Sequence, residues 1–410
     1  VNRSLTIVLL LALLPIATSA QAAGLTLREQ SAVAQGRALA VVAKLDDPST
    51  GFFNPAGIAF LEGFQAQVNA TTIIPGFTWQ DPAGVEEDVS LVDPTLVVPA
   101  VHITARLMDK VAVGLSVTVP YGLTLKYPDD WVGNKFVQET ELVVPLINPN
   151  VSFQVADGVA IAIGAFVAPS SVKIVRPTVT LDASGVGVGG SFGVQAHLDN
   201  LHLGLAYQSR FKLPMEGTAD NVDDELDGPV TSDITLPDVA TLGVGYDLSE
   251  QLYAEFDVNY TGWSTIDELA MKFPDMPFLD NFKAAPQNPA PLNWEDSLCY
   301  RLGFEWKAPT GWVARLGGGY DLSPATDKTT MTPMVPDANR TFFTVGAGFD
   351  VADWHFDTAY LFTLFDKAEV SSEEHVDGFG QKYENTAHLI SVAITWAGLG
   401  DERTDEGDLP

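Results

Sequence analysis

Stretch after stretch of this chain repeats with a period of two. Leu252, Ala254, Phe256, Val258 and Tyr260 alternate with Tyr253, Glu255, Asp257 and Asn259. Leu298, Tyr300, Leu302, Phe304 and Trp306 alternate in the same way with Cys299, Arg301, Gly303 and Glu305. The pattern returns in residues 354–365 and 389–396, where Ile390, Val392, Ile394 and Trp396 oppose Leu389, Ser391, Ala393 and Thr395. Successive side chains of a strand point to opposite faces, so each segment has one greasy face and one more polar face. After the N-terminal region no run of 18 apolar residues occurs, which leaves no transmembrane helix.

A soluble sandwich also alternates, but three features favour a membrane barrel. The segments outrun the usual soluble strand of about 5–6 residues. Trp306, Trp312, Trp354 and Trp396 sit at segment ends, where an interfacial girdle places aromatics. Only 18% of residues are charged against 46% apolar, too few charges for a water-facing surface of 410 residues. The 53 acidic residues outnumber 22 basic ones, for a net charge of −31, which excludes a nucleic-acid partner. One cysteine, Cys299, excludes a disulfide framework and any multi-thiolate metal site.

The N-terminus reads as an export signal over 1–22. Arg3 is followed by an apolar run from Leu5 to Ile16, then by the small-residue pattern Ala20-Gln21-Ala22. Strands are expected near 60–79, 95–108, 110–126, 138–155, 158–176, 186–198, 200–215, 231–247, 250–272, 292–307, 311–325, 338–349, 353–370 and 384–396. The total is even, as a bacterial single-chain barrel requires. Tight links at 108–110, 156–158, 198–200 and 248–250 read as periplasmic turns, and the longer Pro-, Asp- and Gly-rich links as extracellular loops. The expected fold is all-β: a 14-stranded antiparallel transmembrane β-barrel over 58–396, with a small, partly helical N-terminal hatch (23–57) inside the lumen. Leu27 to Leu45 is Ala-rich with helical spacing. A plug in the lumen is the simplest place for it, and a soluble periplasmic extension is the alternative. Residues 397–410 form an acidic tail beyond Trp396, where outer-membrane barrels usually end on an aromatic residue.

Asn54-Pro55-Ala56, within the run from Asp46 to Gly57, resembles the hatch signature of the FadL/TodX family, outer-membrane channels for long-chain fatty acids and aromatic hydrocarbons. The resemblance continues in order through Val119-Pro120-Tyr121-Gly122, Asp130-Trp131-Val132-Gly133, Ile147-Asn148-Pro149-Asn150, Leu236-Pro237-Asp238 and Pro336-Asp337-Ala338-Asn339-Arg340. It implies a hatched 14-stranded barrel whose hatch rearranges and whose third strand kinks inward, opening a gap in the wall. Pro120, Tyr121 and Gly122 would sit at that kink. Pro lacks a ladder donor and Gly packs nothing, so both mark bends; an ordinary strand end is the competing reading. Asn54, Pro55 and Ala56 would position the gate or form a plain turn. Phe52 and Phe53 would line the solute path or anchor the plug.

An apolar groove stabilises an alkyl chain by about 0.8 kcal/mol per CH₂, and a carboxylate head would seek a cation. Alternation places Arg210, Arg301 and Arg315 on inward faces, with Arg340 just before its strand. Each equally suits pairing with Glu255, Asp257 or Glu305 as structural lining. The partners expected are therefore a hydrophobic solute, outer-membrane lipid, lipopolysaccharide and the barrel-insertion machinery, with the protein a monomer and no cofactor required. The acidic run 220–228 fails the EF-hand count, and the histidines form no metal-binding spacing. Two other classes stay open: a general or structural porin, which would conduct ions steadily, and a lipid hydrolase, for which His388 and Ser391 fall on opposite faces.

Overall fold

Fourteen strands wind in antiparallel sequence and close on themselves, because the first and last also pair. The computed structural model describes residues 24–93, 95–222, 227–281 and 286–398. The export-signal reading and most of the acidic tail lie outside the described residues, as does part of the acidic run 220–228. The strands are β1 (Phe64–Gly76), β2 (Leu96–Met108), β3 (Val111–Lys126), β4 (Glu139–Ala156), β5 (Val159–Arg176) and β6 (Val179–Leu198). Next come β7 (Leu201–Gln208 and Phe211–Asn221), β8 (Gly228–Leu236 and Val239–Asp247) and β9 (Leu252–Thr261). The wall is completed by β10 (Ser297–Lys307), β11 (Trp312–Asp321), β12 (Arg340–Val351), β13 (Trp354–Phe365) and β14 (Thr386–Gly398).

Alternation decides which face meets lipid. Phe256, Leu302, Trp306, Trp354, Ile390 and Ile394 are 44–47% exposed on the outer wall. Their sequence neighbours Tyr253, Glu255, Asp257, Asn259, Arg301, Glu305, Asp357 and Ser391 are buried inside. Backbone groups in hydrocarbon find no water, so only a closed ladder satisfies them, and the β1–β14 pairing from Phe64↔Gly398 to Gly76↔Thr386 supplies that closure. Trp306, Trp312, Trp354 and Trp396 all lie towards the short-turn end, where Trp396 also meets Phe64 at 5.9 Å between rings.

Several details differ from the sequence reading. The sixth strand begins at Val179 rather than near 186, since β5 pairs with it without interruption from Arg176↔Val179 onward. The ninth stops at Thr261, where Trp263–Thr265 forms a 3₁₀ turn. The hatch is less helical than its Ala-rich spacing suggests: α1 covers only Ala32–Gly36, α2 only Thr50–Phe53, and a 3₁₀ helix Pro55–Phe60. Ala38 and Leu39 take left-handed conformations (φ 55° and 63°), which ends the helix. Wall side chains then supply the hydrogen bonds that a longer helix would have made internally.

Candidate functional site

The hatch is held at the short-turn end by carboxylates of β9. Asp257 accepts the amides of Val41 and Val42 at 3.0 and 3.1 Å. Glu255 accepts the amide of Ala43 (2.6 Å), the Arg37 guanidinium (2.8 Å) and the Tyr253 hydroxyl (2.5 Å). Burial alone would lower the Arg37 pKa, but Glu255 and Glu305 hold it above its ordinary value. A buried charge is tolerated only when paired in this way.

Asn54 explains its own motif. Its side-chain amide donates to Val42 O (2.8 Å) and to Val194 O of β6 (3.0 Å), while its oxygen caps Ala56 N (3.2 Å). Pro55, at the start of the 3₁₀ helix, needs no hydrogen-bond acceptor there, and Ala56 is small enough to be fully buried against Ala59, Ala160 and Ala162. The adjacent phenylalanines differ in their surroundings. Phe53 is 2% exposed and packs with Val33, Leu39, Val41 and Leu45. Phe52 is half-buried and borders a cavity beneath Arg28, whose guanidinium lies 5.4 Å from its ring centre.

Pro120, Tyr121 and Gly122 lie where the wall changes course. Pairing of β2 with β3 runs from Met108↔Val111 to Val101↔Val117 and goes no further among the described residues. Against β4 the register slips between Thr118 and Tyr121. The hatch takes over the vacated edge of β3. Leu27 N donates to Pro120 O (2.7 Å), Gly122 N donates to Leu25 O (3.0 Å), and the Gln30 side chain bonds both N and O of Val119. Tyr121 turns inward and is buried; its hydroxyl donates to Pro237 O (3.2 Å) and accepts from Gln208 (3.1 Å).

The candidate arginines part company. Arg315 is clamped by Glu305 (2.8 Å) and Asp357 (2.6 Å), a structural lining. Arg210 falls in the break of β7, 57% exposed, and pairs with Asp238. Arg340 pairs with Asp321 at 2.6 Å. Arg301 is buried, and its Nε finds no hydrogen-bond partner. Beside it stands Arg28 of the hatch, also with a buried, unpartnered Nε; burial and the like charge of Arg301 pull its pKa down to about 10. Arg28, Arg301 and Arg340 share one small cavity with Glu29 and Asp321, walled by Leu39, Phe342, Leu361, Phe365 and Leu389. Three guanidiniums line it against two carboxylates, and the buried Asp337 also acts on Arg340 from beyond the lining. Sequence reasoning missed Arg28, because only the folded hatch brings it to Arg301.

Towards the long-loop end an apolar core continues through Tyr121, Leu123, Phe166, Phe211, Trp263 and Trp294. A groove of about 510 Å³ opens above it between Lys135, Arg176, Leu181, Met271, Phe273 and Leu279. Elsewhere Ser391 faces inward and bonds Gln35 (2.6 Å), whereas the His388 ring is bonded to the Tyr360 hydroxyl (2.7 Å), so the two do not form a catalytic pair. Among the described residues no group of three or more His, Cys, Asp or Glu is placed to hold a metal ion.

Comparison with known proteins gives a consistent result. The family described as "Outer membrane protein transport protein (OMPP1/FadL/TodX)" matches residues 13–397. Outer membrane protein P1 of Haemophilus influenzae is 25% identical, over 82% of this chain and 84% of its own. The long-chain fatty acid transport protein of Escherichia coli O6:H1 is 22% identical, over 93% of this chain and 96% of its own. Among solved structures, a Pseudomonas aeruginosa FadL homologue shares the fold with a TM-score of 0.78 at 18% identity, covering 91% of this chain and 99% of its own. The Pseudomonas putida toluene transporter TodX does so with a TM-score of 0.68 at 15% identity, covering 89% and 97%.

Proposed function

Because the chain belongs to the outer membrane protein transport family (OMPP1/FadL/TodX), we propose that its solute is a long-chain amphiphile with an anionic head, released sideways through the wall at the kink of β3. The loop groove between Lys135 and Phe273 would capture the tail, since removing apolar surface from water is the dominant drive. The head would then settle between Arg28 and Arg301, by charge-assisted hydrogen bonds to donors that the protein leaves unpaired. Withdrawal of Leu25–Gln30 would free the edge of β3 and open the seam towards β2. Asn54, Pro55 and Ala56 would set the hatch position, with Phe53 anchoring it and Phe52 on the solute path.

The carrying observation is the pair of buried Nε–H donors without partners, on Arg28 and Arg301, at one lumen cavity of an otherwise acidic chain. A neutral aromatic would leave those donors unanswered. Equilibrium binding to purified protein separates the two substrate classes. Arg28→Gln should weaken a long-chain carboxylate by about 1.5–3 kcal/mol, the worth of a hydrogen bond to a charged group, and leave toluene binding alone. Equal loss for both ligands, or none for either, overturns the anionic head. A porin would instead show steady ion conductance with the hatch in place, and that result in planar bilayers would replace transport with passive diffusion.

A further inference from the structure

The wall carries a second seam, between β6 and β7. Pairing runs from Leu198↔Leu201 to Ser191↔Gln208 and resumes at Gly185↔Met215, one residue out of register. In the interval Ser209 and Gly190 exchange single bonds (2.9 Å each), and no ladder pair follows until Met215. A register slip also marks the kink of β3. Here the sequence explains it: Gly185, Gly187 and Gly189 are the inward positions of β6. A Cβ on Gly187 would stand 2.7 Å from the side chains of Phe211 and Leu213, so β7 leans inward over a strip that has no side chains. Outside, Val186 and Val188 are 55% and 68% exposed.

Just below the seam lies the cavity bounded inside by Arg28, Phe52 and Gln208. It reaches Phe192 and Tyr207, which are exposed on the outer wall. No ion pair crosses this seam among the described residues; Arg210–Asp238 and Lys212–Asp233 tie β7 to β8 on its other side, where partly exposed ion pairs contribute little. The neighbouring strand gives slack as well, since β8 is interrupted opposite the break of β7 at Pro237-Asp238. Tyr121 ties the two irregularities together: one hydroxyl bonds Gln208 of β7 and Pro237 of β8, and its ring lies 5.9 Å from Phe211.

We propose that the β6–β7 seam is a second lateral port, admitting an amphiphile already dissolved in the outer leaflet directly to the lumen beside Arg28, and that Tyr121 couples it to the kink of β3. This rests on the transport reading above. The tail would slide past Val188, Phe192 and Tyr207 while the head moves to the guanidinium.

The test staples the seam in the full-length protein, with Gly190→Cys and Ser209→Cys in a Cys299→Ser background, reconstituted in vesicles. A radiolabelled long-chain carboxylate is supplied either dissolved in the vesicle lipid or from the aqueous side. Oxidation should cut uptake of the lipid-dissolved probe several-fold, reduction should restore it, and aqueous uptake should change little. Unchanged lipid-side uptake in the oxidised protein, with the unstapled protein active, overturns the port and leaves the transport reading standing. An unstapled protein inactive by both routes overturns the transport reading and the port with it. Should the cysteine pair not assemble, Gly187→Val fills the same strip, and the same selective loss is expected.

Discussion

The two halves of the lumen are built from opposite chemistry. Near the short turns the hatch meets the wall through directed polar bonds: Asp257 to two amides, Glu255 to Arg37 and Ala43, Asn54 to Val194. Towards the long loops Leu27 meets Leu96, Val98, Phe342, Leu361 and Leu389, contacts without direction. A ligand's alkyl chain can replace an apolar contact at little cost because burial scales with area rather than geometry. It cannot replace a hydrogen bond to a buried carboxylate. The lower half is therefore the harder part to displace and the upper half the easier, although one short segment, Leu25–Gln30, belongs to both.

The largest effect should come from breaking the polar half. Glu255→Ala leaves Arg37 buried without its partner and Ala43 N without an acceptor. Removing one member of a buried pair costs about 3–5 kcal/mol. The barrel ladder does not depend on this side chain, so the wall should survive while the hatch loosens. Ion conductance in planar bilayers should rise, with the heat-modified migration of the barrel retained. Conductance equal to the parent would mean that the upper, apolar half holds the hatch after all.

A sharper comparison uses two neighbours. Phe53→Ala empties the hatch's own small core and should lower its stability by about 3–5 kcal/mol, seen as faster proteolysis of residues 32–60. Phe52→Ala removes a half-buried ring at the cavity edge, and should alter uptake more than protease resistance. Equal protease sensitivity in both variants would remove the distinction between anchor and path.

How far the sequence foretold this division follows from the range of each signal. Alternation is local, so Phe256 and Ile394 outside and Glu255 and Ser391 inside could be read directly, as could closure from an even strand count. Asn54 announced a turn, but its grip on Val194 depends on where β6 passes. Arg315 and Arg301 have the same parity and the same residue type. One is neutralised by Asp357 and the other is not, a difference that needs the register of β13 across β12 to β11. The use of the glycines of 185–190 as a bare strip under β7 becomes visible only once Phe211 and Leu213 are in place. Helical spacing in 27–45 misled because it ignores acceptors supplied from the wall.

The smallest expected effect tests the boundary between halves through pH. Asp47 of the hatch accepts Ser49 N (2.8 Å), Ser49 Oγ (2.5 Å) and Gln67 Nε2 (3.1 Å), all on one oxygen; the other is buried and unpartnered. Burial raises its pKa above the ordinary carboxylate value, against the lowering pull of the Ser49 bonds. A raised acid binds its proton more readily in the native state than in the unfolded one. Its contribution is thus most favourable below the ordinary value and declines as pH climbs through the native one. Amide exchange of the hatch should accordingly quicken with pH, beyond the intrinsic rate, across the window just above the ordinary carboxylate pKa. Asp47→Asn keeps the accepting oxygen and carries no charge, so that excess slope should vanish while Glu255→Ala retains it. A slope surviving in Asp47→Asn would place the titrating group among the carboxylates of the wall, and the polar half would then owe its pH response to β9 rather than to the hatch.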